Sequence, residues 1–136
     1  MTKQNLFEQL RNELHYNDEE ISRIERYGGL NRLLENLFDS EKILYLYYTF
    51  FTNDSVITAV IRDDYLVVTD KRIIVIEKGL LGTIVKEYSL RKAHSITIEN
   101  NSRLCVRESA NSTPIKLSLT NDRHIMQLKE LLYDYI

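Results

Sequence analysis

The sequence predicts an α+β fold: short N-terminal helices packed on an antiparallel β-barrel that a C-terminal helix closes. Three observations carry this. In residues 1–40 apolar side chains recur at three- and four-residue spacing, the period of a helix. From Glu41 onward the period shortens to two, and Val, Ile, Thr, Tyr and Phe fill short runs separated by turn residues. After Asn121-Asp122 helical spacing returns in Ile125, Leu128 and Leu132. The chain therefore divides into a helical segment, 1–40, and a β-rich domain, 41–136.

Three helices are expected in the first segment. Leu6, Phe7, Leu10 and Leu14 share one face of the first. Asn17 is a good N-cap for the second, and Asp18, Glu19 and Glu20 fill its first turn, where acids favour the helix dipole. Ile21 and Ile24 continue the apolar stripe. Gly28-Gly29 ends that helix. Leu30, Leu33, Leu34, Leu37 and Phe38 form a third, and Asp39-Ser40 marks the exit.

The strands follow from alternation and turn chemistry. Ile43 to Thr52 is the first, ending at Asn53-Asp54-Ser55. Val56 to Ile61 is either an extra strand or an extended connection. Tyr65 to Thr69 and Ile73 to Glu77 flank a turn at Asp70-Lys71, and Ile84 to Tyr88 follows the Gly79-Leu80-Leu81-Gly82 turn. Ser95 to Glu99 alternates cleanly, with Ile96 and Ile98 inward. Asn100-Asn101-Ser102 turns the chain, because Asn tolerates positive φ. Leu104 and Val106, then Ile115, Leu117 and Leu119, face the core from the last two strands. The first strand is apolar on both sides by simple alternation: Leu44, Leu46, Tyr48 and Phe50 on one, Ile43, Tyr45, Tyr47 and Phe51 on the other. A barrel strand needs one apolar face, so something must cover the second. The N-terminal helices are the obvious cover, within the chain or across a dimer.

Composition narrows the function classes. At 136 residues the chain suits one domain with a real core. No apolar run approaches the roughly 20 residues a membrane span needs, and no signal-peptide pattern opens the chain. Cys105 is the single cysteine, so no internal disulfide forms, which fits a cytoplasmic location. Residues 1–40 hold five Lys/Arg against eight Asp/Glu, a net −3, and the remainder thirteen against twelve, a net +1. Neither part has the dense field of one sign that nucleic-acid partners require.

Several motifs in order resemble bacterial pleckstrin-homology-like (PH-like) domains of the YokE-like kind. They are Glu41-Lys42-Ile43-Leu44 opening the first strand, Val67-Val68-Thr69-Asp70-Lys71-Arg72-Ile73-Ile74, Lys78-Gly79-Leu80-Leu81-Gly82 and Tyr88-Ser89-Leu90. The resemblance covers roughly residues 41–136, and residues 53–64 depart from it. It implies a PH-like barrel plugged by its C-terminal helix, and a binding or assembly module without catalysis. Bacteria, phages and prophages encode such domains. Phosphoinositide-binding PH domains carry several Lys and Arg in the first hairpin. Here Thr52-Asn53-Asp54-Ser55 offers one acid and no base, which argues against inositide binding.

No catalytic or metal-ligating constellation is read from the sequence. His15, His94 and His124 lie outside any Cys/His/Asp cluster of metal spacing. His94 and Ser95, adjacent on a strand, point to opposite faces and cannot act as a base–nucleophile pair. Cys105 falls on the face opposite Leu104 and Val106, with Arg103 and Arg107, and is expected to be a passive thiol on the sheet surface. The expected function is a non-enzymatic protein-interaction or assembly module without cofactor, metal or small-molecule substrate. Its partner would be another protein, a second copy, or both. Candidate contact residues are Tyr45, Tyr47 and Phe51 on the first strand, Lys71 and Arg72 at the turn, and Leu80 and Leu81 at a glycine-flanked tip, where exposed leucines call for a contact. An edge strand that accepts a partner strand is a further route. The alternatives are a peripheral membrane module using Leu80, Leu81, Lys78 and Lys86, and a phage-encoded inhibitor of a host nuclease or polymerase.

Overall fold

The computed structural model describes residues 1–26, 30–50, 63–79, 82–100, 103–119 and 122–134. Three helices come first: α1 (Lys3–Asn12), α2 (Asp18–Arg26) and α3 (Leu30–Asn36). Seven strands follow among the described residues: β1 (Ile43–Phe50), β2 (Asp63–Thr69), β3 (Arg72–Gly79), β4 (Gly82–Ser89), β5 (Ser95–Glu99), β6 (Arg103–Arg107) and β7 (Ile115–Ser118). The last element is α4 (Asp122–Tyr133). The expected segment Val56 to Ile61 lies outside the described residues.

Side chains cap the starts of α1 and α2, the second at the expected Asn17. Thr2 Oγ1 accepts from the Asn5 amide at 3.1 Å at the head of α1. At α2 the cap is reciprocal: the Glu20 amide donates to Asn17 Oδ1 at 2.8 Å, and the Asn17 amide donates to Glu20 Oε1 at 3.0 Å. Between α1 and α2 the chain turns through His15 at φ +59°.

The strands form two antiparallel sheets, β1-β2-β3-β4 and β5-β6-β7. Asn100, in the β5–β6 connection, takes φ +53°, the conformation expected of it. The α+β class holds, but the expected closed barrel does not: no strand pairing joins the two sheets among the described residues. The break comes where the chain leaves β4. The Ala93 amide bonds to Ser89 O at 3.2 Å, and this turn carries the chain away from the first sheet while Leu90 folds inward.

The first sheet has a core on each side. On one side α1–α3 place Leu6, Leu10, Ile21, Ile24 and Leu33 against Ile43, Leu46, Tyr65, Val67, Ile74 and Ile76. The helices thus cover the extra apolar face within one chain, and the Tyr65 hydroxyl donates to Ile24 O at 2.8 Å. On the other side Leu44, Tyr45, Leu66, Val68 and Ile73 meet Ile96, Leu104 and Val106 of the second sheet and Ile125, Leu128 and Leu132 of α4. The α4 face is the one its spacing indicates.

Simple alternation misassigns the faces of β1. A register shift lies between Ile43 and Tyr45: Ile43 pairs with Thr69, but Tyr45 pairs with Val68. This bulge puts Ile43 and Leu46 together on the helix side and Leu44 and Tyr45 together on the other. An extra residue in a strand reverses the alternation beyond it.

Candidate interaction site

The turn between β2 and β3 is bound into the fold by one buried acid. Glu41 is 1% exposed. Its carboxylate accepts from Arg72 Nη2 at 2.6 Å, Arg72 Nε at 3.2 Å, Thr69 Oγ1 at 2.7 Å and the Phe38 amide at 3.0 Å. Burial pushes the Glu41 carboxyl up, but those hydrogen bonds and the guanidinium charge outweigh it and hold the group below the usual carboxylate range. Arg72 also reaches Glu87 Oε1 at 2.6 Å, donates to Asn36 O, and stacks over the Phe38 ring at 4.8 Å. Its guanidinium therefore ties the α3–β1 connection to β3 and β4.

The expected contact residues have different fates. Tyr45 is fully buried in the core with α4, and Tyr47 is half-buried beside it, ring centroids 6.4 Å apart. Arg72 is engaged inside the fold, whereas Lys71 is exposed and reaches Ser40 Oγ at 3.4 Å. Phe51, Leu80 and Leu81 lie outside the described residues. Cys105 is not on the surface: it is 5% exposed, because β6 is the central strand of its sheet and Thr97 and Lys116 flank it. Burial and the neighbouring Glu99 raise its thiol pKa, against the smaller opposite pull of Lys116 and Arg103. His124 is buried, stacked on Tyr16 at 3.8 Å, and hydrogen-bonded through Nε2 to Glu20 Oε2 at 2.7 Å. Burial lowers its pKa more than Glu20 raises it. Among the described residues no group of three His, Cys, Asp or Glu side chains is placed to hold a metal ion. Nor, among them, is any helix long and apolar enough to cross a membrane.

Among the described residues, a groove with an apolar floor lies between the second sheet and α4. β5 is the outer strand of its sheet, so its far edge is unpaired by any strand among the described residues. Beside it runs a groove of about 280 Å³ lined by Ile96, Thr97, Ile98, Lys129, Leu132 and Tyr133. Ile96 and Leu132 are buried and form the floor, and Tyr133, 86% exposed, stands at the lip. The contact residues inferred from sequence omit this groove. The available signal was Tyr133, which follows Leu132 and therefore falls off the buried stripe of α4 while remaining aromatic.

Two antiparallel sheets with a C-terminal helix on their shared core define a recognisable arrangement, and the bacterial PH domain family matches residues 37–130. The chain belongs to the bacterial PH domain family. No curated protein matches it. As a PH domain it has the fold of a binding module, and α1, α2 and α3 lie outside the matched region.

Proposed function

We propose that this PH domain is a non-enzymatic protein-interaction module that takes up an extended segment of a partner protein along β5. The observation that carries the reading is the outer edge of β5 beside the groove of α4. A strand edge offers a row of amides and carbonyls that only another extended chain satisfies in full. The adjoining groove supplies the side-chain pocket that an edge alone lacks: an apolar floor, Lys129, and an aromatic lip. Lys71, exposed between β2 and β3, and Leu80 and Leu81, which lie outside the described residues, remain secondary contact candidates in this reading.

Panning a random peptide library against the protein, followed by amide-shift mapping of the selected peptides, tests it. Peptides that move the amides of residues 95–99 and 129–133, and that lose binding to Tyr133→Ser and Ile98→Asp, support the proposal. Peptides that bind both variants unchanged and shift amides elsewhere overturn it.

A further inference from the structure

Charge is divided unevenly across the first sheet. On its helix side, residues 1–40 carry five Lys/Arg against eight Asp/Glu, a net −3. On its other side lie the second sheet and the turns that bound it. These residues, 90–119, carry five Lys/Arg against two acids, Glu99 and Glu108, a net +3. The whole chain is −2, so taking away that +3 leaves −5 for all the rest. The second sheet is a cationic face on an otherwise acidic molecule. Such a face draws anionic groups to itself while the remainder repels them.

The cations of this face differ in how they are held. Lys116 is paired with Glu99 at 3.6 Å. Arg107 donates to Ser112 O at 2.9 Å and to Ala110 O at 3.4 Å. Arg91 and Lys92, on the turn that leads into β5, are exposed and have no partner of this kind among the described residues. They stand at the Ser95 end of the strand. The His94 amide donates to Arg107 O at 2.7 Å and Ser95 pairs with Arg107, so a third cation flanks that end from β6. A chain laid along the β5 edge and continuing past Ser95 therefore runs toward positive charge.

We propose that the segment taken up along β5 is acidic at the end that passes Ser95, where Arg91 and Lys92 receive its carboxylates. The inference rests on the β5 reading and adds the chemistry of the partner. Alternate apolar side chains follow from the pleat, because those that share the face of Ile96 and Ile98 point into the groove. Asp or Glu beyond them follows from the turn. Exposed ion pairs add little affinity each, so the groove holds the segment and the cations select it.

The test uses two peptide libraries with the same random core, one flanked by short runs of Glu and the other by short runs of Lys. Both are panned against the unaltered chain and against Arg91→Glu/Lys92→Glu. Amide shifts of residues 95–99 and 129–133 report whether a selected peptide sits in the groove, and circular dichroism reports whether the variant is folded. On the unaltered chain the Glu-flanked peptides should bind about fivefold or more tightly than Lys-flanked peptides of the same core. That advantage should shrink as sodium chloride is raised. The charge reversal should abolish or invert it. Groove-bound peptides without a flank preference, or with one that survives the reversal, overturn this inference and leave the β5 reading intact. Libraries that yield no binder, or binders that move none of those amides, overturn the β5 reading and this inference with it. If the variant fails to fold, salt decides on the unaltered chain: a Glu-flank advantage that does not shrink overturns the proposal.

Discussion

Glu41 and His124 are both buried ionisable groups, and their environments give stability opposite charge requirements. Glu41 must be charged: its carboxylate accepts four hydrogen bonds, two of them from Arg72. Removing one member of such a pair strands the other, so Glu41→Ala should cost about 3 kcal/mol by urea titration. A loss under about 1 kcal/mol would show that Glu87 and Asn36 O satisfy Arg72 unaided. Because the folded pKa of Glu41 is lowered, its contribution is present above the unfolded carboxylate value of 4.5 and is lost as pH falls below it. Burial favours the neutral form of His124. Its folded pKa is lowered from 6.5, so the unfolded chain takes up the proton first and stability declines as pH falls below 6.5. Thermal melts from pH 7 to 5 should show that decline, and His124→Phe should flatten it. An unchanged slope in the variant would assign the decline to other groups.

At the scale of elements, the C-terminal helix and the N-terminal cover carry the clearest consequences. Leu128 is fully buried among both sheets, so Leu128→Ala should cost about 2–5 kcal/mol, the range of deep core truncations. A chain starting at Ser40 would leave Ile43, Leu46, Tyr65, Val67, Ile74 and Ile76 uncovered. It should aggregate or melt earlier, and a monomeric fragment with an unchanged melting temperature would refute that. Most elements are legible because their signals are local: the Asn17 cap, the Asp70-Lys71 turn, the left-handed Asn100, and the spacing of Ile125, Leu128 and Leu132. What alternation missed is non-local. The bulge in β1 exchanges the faces of Tyr45 and Leu46 without any mark in the run Ile43–Phe50. Arg72 reads as a turn cation because its partner Glu41 lies 31 residues away. Cys105 reads as exposed because the burial of a central strand's outer face depends on the side chains of its neighbours. The β5–α4 groove is missed for a similar cause, since two elements separated in the chain by β6 and β7 make it.

For the molecule as a whole, the first sheet is a party wall. Helices α1–α3 lean on one side of it, and the second sheet with α4 leans on the other. Neighbouring residues of β2 and β3 alternate between the two compartments, so neither can be dismantled while the wall stays as it is. Losing the helices would wet one side of β1, β2 and β3, and losing α4 would open the core on the other side. The consequence is thermodynamic: two cores that have no fully buried side chain in common should nevertheless melt as one. A scanning calorimeter should record a single peak whose calorimetric and van't Hoff enthalpies agree. Hydrogen exchange should give the amides of α1, β2 and α4 a common opening free energy. Two resolved peaks would mean that the compartments are separable and that the wall stands when only one of them is filled.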